Sequence, residues 1–302
     1  MIGISLPFAP LGEVARPEPA LLAFYRRFYH GLWLSAFAQA FSGEYDHNAW
    51  LLGPSSYLFA INGLRFGLDI RIDQPWITED DRSDYADDLS KLDFMLLTHE
   101  HRDHYDASML SLLKDTPVRW LIPAFFDRER VRAAGITPDR ITWVEPGRTY
   151  PIGTLSIAAF DSPHVQVPET GYLMETGKAR LLFPGDVRDY AQRLPDFGSV
   201  DCLFAHVWLG RGNAQGLPCE PWLSGFCDFV VAARPRRVFL THLFEFGRDA
   251  ANLWTYAHAG LAADSLLARD ASLEIAIPRV GERVNMHKEA PYGAGKLAGV
   301  KP

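Results

Sequence analysis

The chain has 302 residues, 48% hydrophobic and 22% charged, which is enough apolar material for one large folded domain or two small ones and too much for a disordered tail. A net charge of -7, from 37 acidic against 30 basic residues, argues against a general nucleic-acid binder, which carries a basic excess. Three cysteines (Cys202, Cys219 and Cys227), odd in number and without a C-x-x-C pair, argue against a disulfide framework and read as core residues.

No positively charged stretch precedes an apolar run at the start of the chain, so no signal peptide is read and the cytoplasm is the expected compartment. Residues 21–41 are very apolar but are interrupted by Arg26, Arg27 and His30, and the charge-free remainder is shorter than the ~20 residues of a membrane span. Pro17 and Pro19 before it suit a helix start. Three roles are open to this helix: packing on the domain, forming a homodimer through residues 21–41, or lying in a membrane interface. Residues 1–49 are therefore set apart as a helical arm or lid, with Asp46, His47 and Asn48, next to Trp50, read first as structural residues and alternatively as part of a lid that reaches a site. Residues 50–302 form the main domain, with a loose tail from about Ala290.

The pattern then becomes strand-rich. Residues 55–61 alternate, Asn62 and Gly63 make a two-residue hairpin turn, and residues 65–72 continue as a second strand carrying Asp69. Residues 81–88 are acidic and read as a short helix or loop. Residues 92–97 are an apolar strand. Beyond it, Asp106 is placed to cap a short helix containing Met109, Leu110, Leu112 and Leu113. Residues 118–122 read as a strand, and residues 126–134 as a helix capped by Asp127 and closed by Gly135. Further strands fall at 141–144, 155–160, 172–175, 180–183, 202–205 and 238–240, with helices at 221–233 and 249–268.

The strand at 92–97 runs into His99-Glu100-His101-Arg102-Asp103-His104. A buried strand thus ends in a turn that presents three imidazoles and a carboxylate. Nitrogen and oxygen donors in that number suit zinc, manganese or iron. His99 and His101 alternate along an extended segment and can point to one ion. Asp103 and His104 lie on the following turn and can reach a second. His164, Asp186 and His242 each follow an apolar strand and precede a turn. A lone histidine there is more often structural, but together the three complete the donor set that the first cluster lacks.

In this order and strand context the motif His99-x-His101-x-Asp103-His104, then His164, Gly185-Asp186 and His242, resembles the metallo-beta-lactamase fold superfamily over roughly residues 50–270. The run from Thr98 to Asp106, the Phe-Pro-Gly-Asp phrase and the late Thr-His look most like its branch of sugar-phosphate lactonases and the phospholipase D of N-acyl phosphatidylethanolamine. The loop between Asp186 and His242 is this chain's own and departs from the lipid hydrolases. The resemblance implies an α/β fold, a four-layer αββα sandwich with two divalent ions at one edge, zinc first, with manganese or iron as alternatives. His99, His101 and His164 would hold the first ion and Asp103, His104 and His242 the second. Asp186 would bridge them, and Asp69 and Asp106 would orient ligand imidazoles, with a strand-end solvation role as the equal alternative for Asp69.

Two such ions, about 3.5–4 Å apart, lower the pKa of a shared water toward neutrality, and no Ser or Cys nucleophile is then needed. Asp103 and Asp186 are the expected catalytic carboxylates, with Asp103 steering the proton. His206 is the expected donor to a developing oxyanion. His206, Arg211 and Asn213, on the segment after the strand at 202–205, are candidates to bind a phosphate or carboxylate of a small-molecule substrate, and Arg188 and Tyr190 are further lining candidates. The expected reaction is hydrolysis of a small ester, a lactone or a phosphodiester. The alternative is a non-hydrolytic biosynthetic or redox enzyme using iron. Di-iron relatives of the superfamily usually carry Glu where this chain has His101, which favours hydrolysis.

Overall fold

The computed structural model describes residues 19–245 and 248–287. Pro17 and the tail expected from Ala290 lie outside the described residues. Seven strands make the first sheet, in the spatial order Arg283–Asn285 (β14), Asn48–Leu51 (β1), Tyr57–Ile61 (β2), Leu64–Leu68 (β3), Phe94–Leu96 (β4), Arg119–Pro123 (β5) and Ile141–Val144 (β6). Seven more make the second: Glu274–Ala276 (β13), Pro235–Thr241 (β12), Val200–His206 (β11), Arg180–Phe183 (β10), Thr170–Glu175 (β9), Leu155–Asp161 (β8) and Thr149–Ile152 (β7). Each sheet is part antiparallel and part parallel: β3 through β6 are parallel in the first, and β10 through β13 in the second.

The side-chain period of two explains the layers. Tyr57, Phe59, Phe66, Phe94 and Leu96 point inward from the first sheet to meet Tyr172, Leu181, Phe183, Cys202, Phe204 and Phe239 of the second. Their neighbours Leu58, Ala60, Met95, Trp120 and Ile122 point the other way and are covered by Pro19–Phe41 (α1), Glu79–Leu89 (α2), Ala107–Leu112 (α3) and Arg128–Ala133 (α4). Leu182, Leu203, Ala205, Val238 and Leu240 are covered by Trp222–Ala232 (α5) and Tyr256–Arg269 (α6). A strand with helices on one side and a sheet on the other is buried on both faces, so it reads as a continuous apolar run. The expected αββα sandwich is the fold observed.

Several boundaries differ from expectation. The acidic segment is a true helix, α2, because Thr78 and Asp81 form a reciprocal capping box. The helix expected from residue 249 starts at Tyr256. Asp249 instead accepts the backbone N–H groups of Ala251 and Asn252, a local turn that competes with helix. β1, β7, β13 and β14 are three or four residues long and were too short to read. The boundary drawn at residue 49 falls inside β1.

The first helix packs as a layer of the sandwich. Trp33 lies 4.6 Å from Tyr85 and 4.7 Å from Phe37, and its indole N–H donates to Asp88 at 3.0 Å. Phe24, Phe28, Leu34 and Phe41 remain exposed on the outer side. No helix among the described residues is long and apolar enough to cross a membrane. Asp46, His47 and Asn48 do not reach the strand ends that carry the histidine cluster, contrary to the lid expectation. Asn48 pairs with Ala60, and Asp46 accepts from Gly63 N at the hairpin turn. The opposite end of β1 leads to Pro54 and Ser55, which bond to His242 N and Asp103 O.

Replacing Trp33 by Ala removes a fully buried indole from this layer. We expect a loss of about 3–5 kcal/mol of unfolding free energy, read from urea midpoints at constant m. Burial also pushes the pKa values of His47, His258 and His287 below the ordinary 6.5. Below that pH the unfolded chain binds more protons than the folded one, so their contribution is full above 6.5 and declines as pH falls. The urea midpoint of chelator-treated protein should therefore drop between about pH 7.5 and 5.5, and a flat or rising midpoint would contradict this.

Candidate metal centre

The centre lies where parallel strands end, the usual place for ligands in mixed α/β sheets. β4 delivers the cluster from His99 to His104, β10 delivers Asp186, β11 ends on His206, and β12 leads into His242. From the antiparallel half, β8 leads to His164 and β9 begins beside Glu169. His242, at φ 64°, and Asp69, which follows β3 beside β4, at φ 49°, hold left-handed backbone. Such conformations are uncommon for non-glycine residues and cluster at functional sites.

All seven expected ligands come together. The donor atoms of His99, His101 and His164 lie within 4.8 Å of one another, and so do those of His104, Asp186, His206 and His242. Asp103 Oδ2 is 3.1 Å from His242 Nε2 and 3.8 Å from His104 Nε2. Asp186 Oδ1 sits 3.5 Å from His104 Nε2 and 3.8 Å from His242 Nε2.

The rings are aimed from behind. His104 Nδ1 donates to Asp69 Oδ2 at 2.8 Å, as expected of Asp69, while Thr98 gives its backbone N–H and hydroxyl to the same carboxylate at 2.9 and 2.6 Å. His99 Nδ1 lies 2.9 Å from Glu169 Oε1. Glu169 went unnoticed in the sequence, where its only trace is one acid entering an apolar strand. It has no exposed side chain and also accepts from Ser162 Oγ and from Asp186 N. Gly185, at φ 77°, passes so close that any Cβ would strike the Glu169 carboxylate. Asp106 is different: it caps α3 through Ser108 and Met109, as expected, but touches no ligand imidazole among the described residues.

These residues fit a metal. The Nε2 atoms of His99, His104 and His164 are buried with no hydrogen-bond partner. In a neutral imidazole, a proton donated from Nδ1 to a carboxylate leaves the lone pair on Nε2. His164 differs: its Nδ1 accepts the backbone N–H groups of Gln166 and Val167 at 3.2 and 3.3 Å, so the proton of the neutral ring sits on Nε2, where a bound cation would displace it. Burial pushes His164 and His242 down to about 4 and lowers His101, so these rings are neutral near pH 7 and free to ligate. Burial opposes charge on His104, but Asp186 and Asp103 outweigh it and hold its pKa well above the ordinary value. Burial likewise opposes ionisation of Asp186, yet Arg188, His242 and His104 keep its carboxyl well below the usual range. Four buried carboxylates (Asp69, Asp103, Glu169 and Asp186) around one site call for cations.

The other candidates divide. His206 Nδ1–H donates to Asp186 Oδ1 at 2.7 Å, and its Nε2 meets the Tyr57 hydroxyl at 2.9 Å, itself 2.6 Å from Thr241 Oγ1. Arg188 donates to Asp186 Oδ2 at 2.5 Å. Tyr190 instead gives its hydroxyl to Trp208 O and packs on Phe226 and Phe229, and Asn213 donates to Leu209 O, so both support the loop. Arg211 is exposed on a turn outside the donor sets. Glu245, three residues past His242, joins Asp103 and His242 in a further donor group. The three cysteines are free and buried, with burial pushing Cys202 up to about 12 and Cys227 up to about 11, so no thiolate serves the site.

A sandwich of two mixed sheets with clustered His and Asp donors at its strand ends defines a scaffold with a candidate metal site. The profile described as Beta-lactamase superfamily domain matches residues 67–243, and the chain belongs to the metallo-beta-lactamase superfamily. It is 28% identical over 193 residues to the UPF0173 protein PYRAB01190 of Pyrococcus abyssi, covering 61% of this chain and 80% of that one. Among solved structures it is similar to Igni18, a metallo hydrolase of Ignicoccus hospitalis, at 16% identity and TM-score 0.58, covering 78% of this chain and 97% of that one. It is also similar to CmlA, a diiron beta-hydroxylase of Streptomyces venezuelae, at 18% identity and TM-score 0.56, covering 80% and 54%. Both structural likenesses are of fold.

Glu169→Gln keeps the shape but cannot accept both His99 and Asp186 N as an anion. We expect metal affinity to fall ~10–100-fold, measured by competition with a chromogenic chelator. Unchanged affinity would show that Glu169 does not aim His99.

Proposed function

We propose that the protein is a metal-dependent hydrolase of a small ester, a lactone or a phosphodiester, using two divalent ions. One observation carries this reading: the donor set of His99, His101 and His164 lies beside that of His104, Asp186, His206 and His242, the His99 and His104 rings 4.2 Å apart, with three buried Nε2 atoms left without partners. The names of Igni18 and of a metal-dependent hydrolase from Parabacteroides distasonis support it by analogy of fold.

When bound, the ions would supply a water of lowered pKa and polarise the electrophilic oxygen. The chain's own residues do the rest. Asp186 Oδ1 pairs with His206 Nδ1, and the Tyr57 hydroxyl meets the same ring at Nε2. That relay orients the Asp186 carboxylate from the inner core. Asp103, 3.1 Å from His242 Nε2, accepts and steers a proton at the same edge. Burial, then Asp103, pushes Glu245 up to about 7, which suits it to protonate a leaving oxygen near neutral pH.

Elemental analysis of the purified protein, paired with a screen of lactones and phosphodiesters, tests the reading. About two equivalents of zinc or manganese with turnover are expected. His101→Ala and Asp186→Ala should each abolish turnover and lower bound metal. Iron without hydrolysis of any ester would move the assignment to the redox or biosynthetic alternative, and full metal and rate in both variants would refute the site.

A further inference from the structure

Two arginines attend the centre, each on a different ligand carboxylate. Arg188 Nη2 donates to Asp186 Oδ2 at 2.5 Å, and its guanidinium lies over the Trp208 ring at 5.1 Å. Its backbone N–H is tied to Pro163 O, just before His164. Arg248 Nη2 lies 3.4 Å from Asp103 Oδ2, while its Nε donates to Glu245 at 2.5 Å.

Both carry more donors than the protein uses. A guanidinium has five N–H groups. Among the described residues the Arg188 side chain gives one hydrogen bond, to Asp186, and is 9% exposed, so four of its five N–H groups are not used by other protein groups while the guanidinium stays largely shielded from bulk water. The Arg248 side chain is 39% exposed. The Asp186 charge would be shared with any ions the donor sets hold, which frees the Arg188 charge for another anion. The planar fork of arginine matches phosphate and carboxylate oxygens in pairs, and its stacking on Trp208 fixes the plane in advance.

We infer that Arg188 and Arg248 form an anion clamp beside the metal centre, and that the substrate carries a phosphate or carboxylate group held by them. This rests on the hydrolase reading and narrows it to anionic substrates. The competing role, simple neutralisation of Asp186, needs only a point charge, so Arg188→Lys separates the two.

The test uses protein with its metal content measured, titrated calorimetrically with inorganic phosphate and, in a second arm, with acetate. Arg188→Lys and Arg248→Met should each weaken binding of the preferred anion about tenfold or more at unchanged metal content, while Arg211→Ala should not. The stronger arm identifies the group. Loaded protein whose affinity for both anions ignores the two variants overturns the clamp alone. Variants that lose metal instead mark the arginines as supports of Asp186 and Asp103, which also overturns it. A wild-type chain that holds no divalent ion overturns the hydrolase reading and the clamp with it.

Discussion

The buried carboxylate of Glu169 ties the two sheets together at the point where their loops meet. It sits at the start of β9 in the second sheet, yet takes His99 from the first, and it also accepts the Asp186 backbone and the Ser162 hydroxyl. A charge without exposure is tolerated only when fully hydrogen-bonded, so every group around it is held in place. Gly185 is needed there because the chain must pass with positive φ where a Cβ would meet that carboxylate. Asp69 does the same for His104 and Thr98. The imidazoles are thus aimed before any ion arrives, which is the condition for a preorganised site.

The same network explains the charges. The buried acids are set against neutral rings at His164 and His242, a charged His104 and the Arg188 guanidinium. The neutral rings keep a lone pair for a ligand, while the second proton of His104 is one that a bound cation would have to displace. Tyr57 extends this order into the inner core: its ring packs with Phe183 and Phe204, and its hydroxyl fixes the His206 ring. Packing between the sheets and the orientation of Asp186 are therefore linked through one side chain.

Legibility in the sequence followed how local each signal was. The cluster from His99 to His104 is contiguous and follows an apolar strand, so both its presence and its place at a strand end could be read directly. His164, Asp186 and His242 were legible because each sits at a strand-to-turn boundary. Glu169, Tyr57, Thr241 and Glu245 were missed, since each acquires its role from a partner far away in the chain. Tyr190 and Asn213 stand beside the right strands but turn their polar groups to loop carbonyls. Asp46, His47 and Asn48 failed as a lid because the pairing of β1 with β2 carries them to the far end of the sheet.

Alternation of apolar residues and donor spacing, properties of short segments, marked the strands and the His and Asp residues at their ends, and the resemblance these carried implied the αββα class and the candidate ligand set. Tertiary structure decided which groups stand behind those ligands. It paired His99 with Glu169, His206 with both Asp186 and Tyr57, and two arginines with the two ligand carboxylates. Those pairings depend on the stacking of two sheets, whose contacts join residues as much as 184 positions apart. No periodicity along the chain encodes such a distance.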